Sequence, residues 1–428
     1  MNVQSGLRAD LANSGRDVTD VALVAKQPVF DLQGAIWGYE LLFRDPSLPG
    51  LGGKSDHVAT ATVMLDGFSL LRSTLRGKQR FLVNFSDEFL EQELPLMLPP
   101  EICVIEILET VEPTKAVLQG LVSLKHQGYS LALDDYIGQA SLFSFLPLVD
   151  IVKVGVLGQS SAQIAKLSRD LMAYKVKLLA EKVEDSKMAS FCREQGFSLF
   201  QGFFYNKPEV TRGIKLSPSQ LTQTRLLALM ADKNTDFKRI SDLLSADVVL
   251  TYRLLNYINS VYFGLSVKVK DLGHAVTLLG MQRLRQWLSV TVLAGFGATP
   301  MSQELVYISA YRAKFLETLA QIADKGDKAL PAKLFLVGLF SMLESLMRVP
   351  IDEIFTQLPL DPDVYNALAQ GTGPLAPWHG IMMAYEQGLW NEVQILAKTI
   401  HVSDKQLTES YVAAGKWVDT IYSPQPLK

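Results

Sequence analysis

The chain has 428 residues, of which 48% are hydrophobic and 20% charged. That excludes a disordered chain and a minimal single-core fold, and at this length about two to four domains are expected. Its 41 basic and 44 acidic residues leave a net charge of −3, so no global field draws it toward nucleic acid or an anionic membrane.

Residues 1–20 carry mixed charge and no apolar h-region, and read as a flexible lead-in rather than a signal peptide. From 21 to 208, short apolar runs alternate with helix-like stretches. The runs are ALVAKQPVF (22–30), RFLVNF (80–85), CVIEI (103–107), LALD (131–134), DIVKV (150–154), KLLAE (177–181) and LFQGF (199–203). Lys115–Gly128 and Ser161–Val176 carry apolar residues at three- and four-residue spacing. Strands alternating with helices predict a parallel sheet covered by helices. About seven or eight such units in this length fit a compact (β/α)8-type barrel better than an open sheet. Residues 209–220, with Pro218, read as a linker. From 221 to 428 the strand signal disappears, and the apolar period predicts an all-α domain punctuated by Gly264, Gly280 and Pro350.

Cys103 and Cys192 are too few for a disulfide framework and read as buried thiols of a cytoplasmic protein. Trp287–Ala298 is too short to span a membrane and Leu334–Met347 carries Glu344, against the roughly 20 apolar residues a spanning helix needs.

The first half places its polar groups at strand ends. Asn84, Glu106, Asp134 with Asp135, Lys153, Glu181 and Gln201 each end or nearly end an apolar run, and Glu40 lies in GYELLFR. In a barrel these ends converge on one face, the face that hosts active sites. Carboxylates brought together repel one another unless cations neutralise them, and hard oxygen ligands suit Mg2+ or Mn2+ rather than zinc. Adjacent aspartates flanking two metals suit attack of an activated water on a phosphate ester. For a single residue the plain alternative is a strand-end polar group facing water.

The ordered set Gln27-Pro28, Glu40-Leu41-Leu42-Phe43-Arg44, Asn84, Glu106, Asp134-Asp135, Lys153, Glu181 and Gln201-Gly202-Phe203 resembles the EAL domain family, barrel phosphodiesterases and receptors of cyclic di-GMP. The resemblance implies a TIM-like barrel and one metal, Mg2+ or Mn2+, held by Glu40, Asn84, Glu106 and Asp134. It implies a second held by Asp134, Asp135 and Glu181. Glu181 and Lys153 would position the hydrolytic water, Arg44 would meet a ligand phosphate, Gln27 and Leu42 would line the ligand site, and Gln201 would support it. Three motifs depart from the family pattern. The Phe-Gly-Thr-Gly run after the aspartate pair reads Tyr136-Ile137-Gly138-Gln139, Lys-Ile-Asp reads Lys153-Val154-Gly155, and Glu-Gly-Val-Glu reads Glu181-Lys182-Val183-Glu184. The rewritten loop supports the metal site and the dimer interface in active members, so slow or absent turnover is expected.

The helical half resembles an HDOD domain through Leu254-Leu255-Asn256-Tyr257-Ile258-Asn259-Ser260, Phe263-Gly264 and Ala275-Val276-Thr277-Leu278-Leu279-Gly280. None of the five histidines is followed by aspartate, so the metal doublet of the related phosphohydrolases is missing and no second enzyme is expected. His274 and His379 read as packing or surface residues, and Asn256 and Asn259 as bonds to loop backbone. The two resemblances together imply a cytoplasmic signalling protein of motility or surface attachment (biofilm). Its barrel would bind cyclic di-GMP and its helical half a regulatory partner protein, with a homodimer left open. The alternatives are an active metal-dependent phosphodiesterase making pGpG, and a scaffold that binds no nucleotide.

Overall fold

A computed structural model of the chain describes residues 23–43, 68, 75, 77–91, 94–202, 218–232, 235, 240, 253–255, 257–259, 263, 269, 272–296, 299–323, 326–357 and 360–422. The lead-in, Arg44, Asn256, Gly264 and most of the expected linker lie outside these residues. The chain divides into two compact units, 1–207 with 383–409, and 208–382 with 410–428.

The first unit is the expected barrel. Its eight strands neighbour one another in chain order and close: β1 (Val24–Asp31), β2 (Ile36–Phe43), β3 (Arg80–Phe85), β4 (Cys103–Ile107), β5 (Ser130–Leu133), β6 (Ile151–Gly155), β7 (Lys177–Glu181) and β8 (Leu199–Gln201). Strands β2 to β8 pair in parallel, whereas β1 runs antiparallel to β2 and to β8. The reason is local. Only Leu32 to Ala35 separate β1 from β2, too few for the crossover a parallel pair needs. Asp31 Oδ1 accepts from the backbone N–H of Gln33 and of Ala35, each at 2.9 Å, and Gly34 takes the left-handed conformation at φ 75°. A tight hairpin results.

Helices α1 (Asp87–Glu91), α2 (Lys115–His126), α3 (Ser161–Leu171) and α4 (Ser186–Glu194) follow β3, β4, β6 and β7. The three longer ones begin where a cap residue satisfies orphan N–H groups: Thr114, Ser160 with Gln163 in a capping box, and Asp185. Val29, Leu82, Val104, Ala132, Ile151, Leu179 and Leu199 meet inside the barrel as one buried apolar layer.

The second unit is helical, as expected. It contains α5 (Pro218–Ala231), α6 (Leu272–Leu293), α7 (Pro300–Ala323), α8 (Leu330–Phe340), α9 (Leu343–Met347), α10 (Ile351–Gln357) and α11 (Pro362–Tyr365). The chain ends through α12 (Ala376–Glu386), α13 (Trp390–Ile400) and α14 (Asp404–Tyr422). Gly280, at φ 73°, breaks α6 into two segments. Leu254, Tyr257, Ile258, Leu284 and Trp287 share one buried cluster, with Tyr257 stacked on Trp287 at 6.0 Å. Asn259 ties the following loop down as expected: its Nδ2 donates to the carbonyls of Leu255 and Val269, and its Oδ1 accepts from Val269 N–H at 2.7 Å. A Cβ on Gly338 would overlap the backbone of Arg312 and Ala313, so a glycine is what lets α8 lie so close to α7. Leu330–Met347 is apolar and long enough to cross a membrane by composition. It is α8 and α9 around the break at Ser341, and 61% of it is buried in the protein, where it serves as core.

Candidate functional site

The site follows from the two-residue period of a strand. Side chains two apart point to the same face, so residues two beyond the apolar layer form the next layer inside the barrel. Those residues are Asn84 after Leu82, Glu106 after Val104, Asp134 after Ala132, Lys153 after Ile151, Glu181 after Leu179 and Gln201 after Leu199. On the reversed strand β1 the offset also reverses, and Gln27 precedes Val29 by two and pairs with Glu40 of β2. One layer is oil and the next is charge.

At the centre of the polar layer lies Lys153, fully buried. Its Nζ is 2.8 Å from Glu106 Oε1, 2.8 Å from Asp134 Oδ1, 2.9 Å from Glu181 Oε1 and 3.2 Å from Glu40 Oε2. Glu40 is the best satisfied of the four acids. It also accepts from Asn84 Nδ2 at 3.0 Å and from Gln201 Nε2 at 2.6 Å, and Gln201 donates to Gln27 at 2.8 Å. The remaining oxygens are not satisfied. Glu106 Oε2, Glu181 Oε2, Asn84 Oδ1 and Gln201 Oε1 are buried and accept no hydrogen bond, and Glu106 Oε1 meets only the ammonium of Lys153.

The ionisation of the acids follows this arrangement. Burial raises the Glu106 carboxyl well above the carboxylate range, the Glu40 charge adds to it, and Lys153 opposes them. Burial likewise pushes Glu181 up to about 8 against the pull of Lys153, with Asp134 and Glu40 adding to the rise. For Glu40, burial is outweighed by Lys153 and by the bonds from Gln201 and Asn84, and its carboxyl lies below the usual value. Burial disfavours the Lys153 ammonium, yet Glu106, Glu181, Glu40 and Asp134 hold its proton well above the usual lysine range. Buried like charges with one cation among them are a high-energy arrangement, relieved by protons on Glu106 and Glu181 or by further positive charge.

Among the described residues no three acids, imidazoles or thiols stand ready around one empty point, because the ammonium of Lys153 fills the space between them. The donor type is nonetheless that of a hard cation. Buried carboxylate and amide oxygens without donors fit Mg2+ or Mn2+, and an ion held there would share the acids with the Lys153 ammonium.

Asp135 stands apart from this cage. Asp135 (φ 41°) and Lys182 (φ 55°) both hold left-handed backbone just beyond β5 and β7. Lys182 Nζ is 2.7 Å from Asp135 Oδ2. Burial disfavours this ammonium too, but the bond and charge of Asp135, then the charges of Glu181 and Asp134, raise its pKa above the usual lysine value. Gly155, at the end of β6 between them, has no side chain to spare: a Cβ there would lie 2.5 Å from Asp135 Oδ1. The loop after Asp135 is held by its own residues. Gln139 Oε1 accepts from Ile137 N–H at 2.8 Å, and its Nε2 donates to the Asp135 carbonyl at 3.2 Å.

Above the polar layer opens a cavity of about 500 Å³ lined by Gln27, Glu40, Leu42, Asp134, Asp135, Glu181 and Gln201. The structure thus brings together every site residue that the sequence singles out and the structure describes, with Asn84, Glu106 and Lys153 in the layer beneath the cavity. Lys182, which the sequence marks only as a departure from the family motif, also lines it, as do Gln387 and Leu389, which carry no local signal of a role. The last two come from the 383–409 stretch, which packs with the barrel. There α12 ends in a Schellman turn, with Leu389 N–H donating to the Ala384 carbonyl at 2.9 Å and Gly388 N–H to Tyr385 at 3.1 Å. Tyr385 Oη donates to the Val24 carbonyl at 3.2 Å, and its ring meets Trp390 edge-on at 5.4 Å.

The HDOD domain family matches residues 216–351. Over 409 residues the chain is 31% identical to cyclic di-GMP phosphodiesterase CdgJ of Vibrio cholerae, covering 95% of this chain and 94% of that protein. The chain belongs to the EAL–HDOD family. It is also 28% identical to the Bacillus subtilis protein YuxH over 92% of its own length and 97% of that protein. A standalone EAL protein of Vibrio cholerae solved with cyclic di-GMP matches with a TM-score of 0.37 and 19% identity, over 44% of this chain and 92% of that one.

Proposed function

We propose that the barrel of this EAL–HDOD protein binds cyclic di-GMP together with Mg2+ or Mn2+ in the cytoplasm, and cleaves it slowly or not at all. The observation that carries this reading is the buried acid cage around Lys153, with oxygens left unpartnered under a cavity large enough for part of a nucleotide. Glu40, Asn84, Glu106 and Asp134 would hold the ion, whose positive charge would stabilise a bound phosphate. Gln27, Leu42 and Gln201 would contact the ligand, and Arg44 a second phosphate oxygen. Lys153 and Glu181 would orient water at the phosphate.

Slow cleavage follows from the residues around Asp135. Catalysis by the layer needs its groups placed to within about half an ångström, and looser placement still permits binding. Here the loop 136–140 is built on Gln139, and Asp135 is committed to Lys182. The helical unit, lacking a His-Asp doublet, would act as an output that binds a regulatory protein, with a homodimer through the barrel as a further partner. The name of the Vibrio cholerae relative favours a second reading, an active phosphodiesterase that releases pGpG.

Incubation of the full-length protein with cyclic di-GMP and Mg2+ or Mn2+, following binding and product, separates the readings. Binding with little pGpG is expected. Rapid conversion supports the second reading, and no binding with cation present overturns both.

A further inference from the structure

We propose that the ammonium of Lys182 stands where a second cation would sit, so that the site takes a single divalent ion per chain. This rests on the cation-dependent reading above and sharpens it. Asp135, Gly155 and Lys182 lie at the ends of three neighbouring strands, β5, β6 and β7. One oxygen of Asp135 is bonded to Lys182 at 2.7 Å and the other lies 2.5 Å from where a Cβ on Gly155 would be. Any side chain at 155 would push the carboxylate off the lysine. The backbone tells the same story. Lys182 is at φ 55°, a conformation that glycine adopts freely and that lysine adopts less often, here as also at Lys175. A long cation is held there against the local preference.

Asp134, Asp135 and Glu181, the three acids best placed to share a second ion, are divided between two ammoniums: Lys182 Nζ lies 2.7 Å from Asp135, and Lys153 Nζ lies 2.8 Å from Asp134 and 2.9 Å from Glu181. Glu181 keeps a buried oxygen with no hydrogen-bond donor, so these acids attract positive charge that Lys153 and Lys182 together only partly supply. An ammonium differs from a dication in two ways that matter here. It carries half the charge, and it offers no coordination position at which water is made acidic. A phosphate is still attracted, while formation of the nucleophile loses its second ion. Binding and cleavage are thereby uncoupled.

The test is Mn2+ titration of the full-length protein, with and without cyclic di-GMP, by calorimetry and electron paramagnetic resonance. The wild type is expected to bind one Mn2+ per chain with the spectrum of an isolated ion. Lys182→Gly, which suits the left-handed backbone, is expected to bind two as a spin-coupled pair. Lys182→Asn, also tolerant of that backbone, serves if the glycine variant unfolds. A coupled pair in the wild type overturns the inference alone, as does a folded variant that still binds one ion. Failure of wild type and variants to bind any Mn2+ overturns the inference together with the cation-dependent reading beneath it.

Discussion

Glu317 in the helical unit and Glu106 in the barrel are both buried carboxylates, and their surroundings treat them in opposite ways. In the helical unit Glu317 is 1% exposed and fully answered: Lys314 Nζ lies 2.9 Å from Oε2, while Gln282 at 2.9 Å and Gln286 both donate to Oε1. In the barrel Glu106 is as deeply buried, yet one oxygen has no donor and the other only the ammonium it shares with three further acids. A buried charge whose partners come from its own chain is structure. A buried carboxylate left short of partners calls for a proton or a cation from solution, and the barrel layer gathers several such oxygens in one place.

Charge removal should separate the two units most strongly. Lys153→Met leaves Glu40, Glu106, Asp134 and Glu181 with no cation, and should cost the barrel about 3–5 kcal/mol in chelator. Millimolar Mn2+ should recover much of that loss by mass action. Glu317→Gln should cost about 1–3 kcal/mol and show no response to Mn2+. Denaturant unfolding of each variant with and without the ion reads the difference directly. Equal Mn2+ rescue of both variants would erase the contrast.

Asn259→Ala removes the partner of Val269 N–H in the helical unit, and should cost about 2 kcal/mol without touching nucleotide binding. In the barrel unit, Gly388→Ala places a side chain at φ 67° and 2.8 Å from Leu42 Cδ1. A loss of about 1 kcal/mol is expected, together with weaker ligand binding because Leu42 lines the cavity. If binding is unchanged, the 387–389 turn is a strut and not part of the site.

The smallest effect concerns pH. Burial, and then the charge of Arg312, hold His379 down to about 4 from its ordinary 6.5. Between those values the unfolded chain binds a proton that the folded chain does not, so stability falls as pH drops from 6.5 toward 4. His379→Gln should flatten that part of the curve for the helical unit, measured as unfolding midpoints at a series of pH values.

Much of this was open to reading from residue order. The polar layer was legible because each group lies two residues past an apolar one on a strand, a spacing that survives any detail of packing. Asn259 is legible from its spacing, three residues after Asn256 and so on the same helix face. The reversal of β1 was not seen, although DLQG after an apolar run carried the hairpin signal. The antiparallel start is what sets Gln27 beside Glu40. Gln387 and Leu389 were invisible, since about 350 residues separate them from the strands they face and nothing local marks them. Lys182 was visible as an odd residue. Its partner became clear only when β5 and β7 were seen to flank Gly155.

The central claim is that the unsatisfied acid layer binds nucleotide through a divalent ion. Calorimetric titration of the full-length protein with cyclic di-GMP, in Mn2+ and in chelator, against the Glu106→Gln variant, tests it most directly. The account predicts saturable binding in Mn2+, none or far weaker binding in chelator, and loss of the Mn2+ effect in Glu106→Gln. Binding of equal strength in Mn2+ and chelator, or no binding in either, would contradict it.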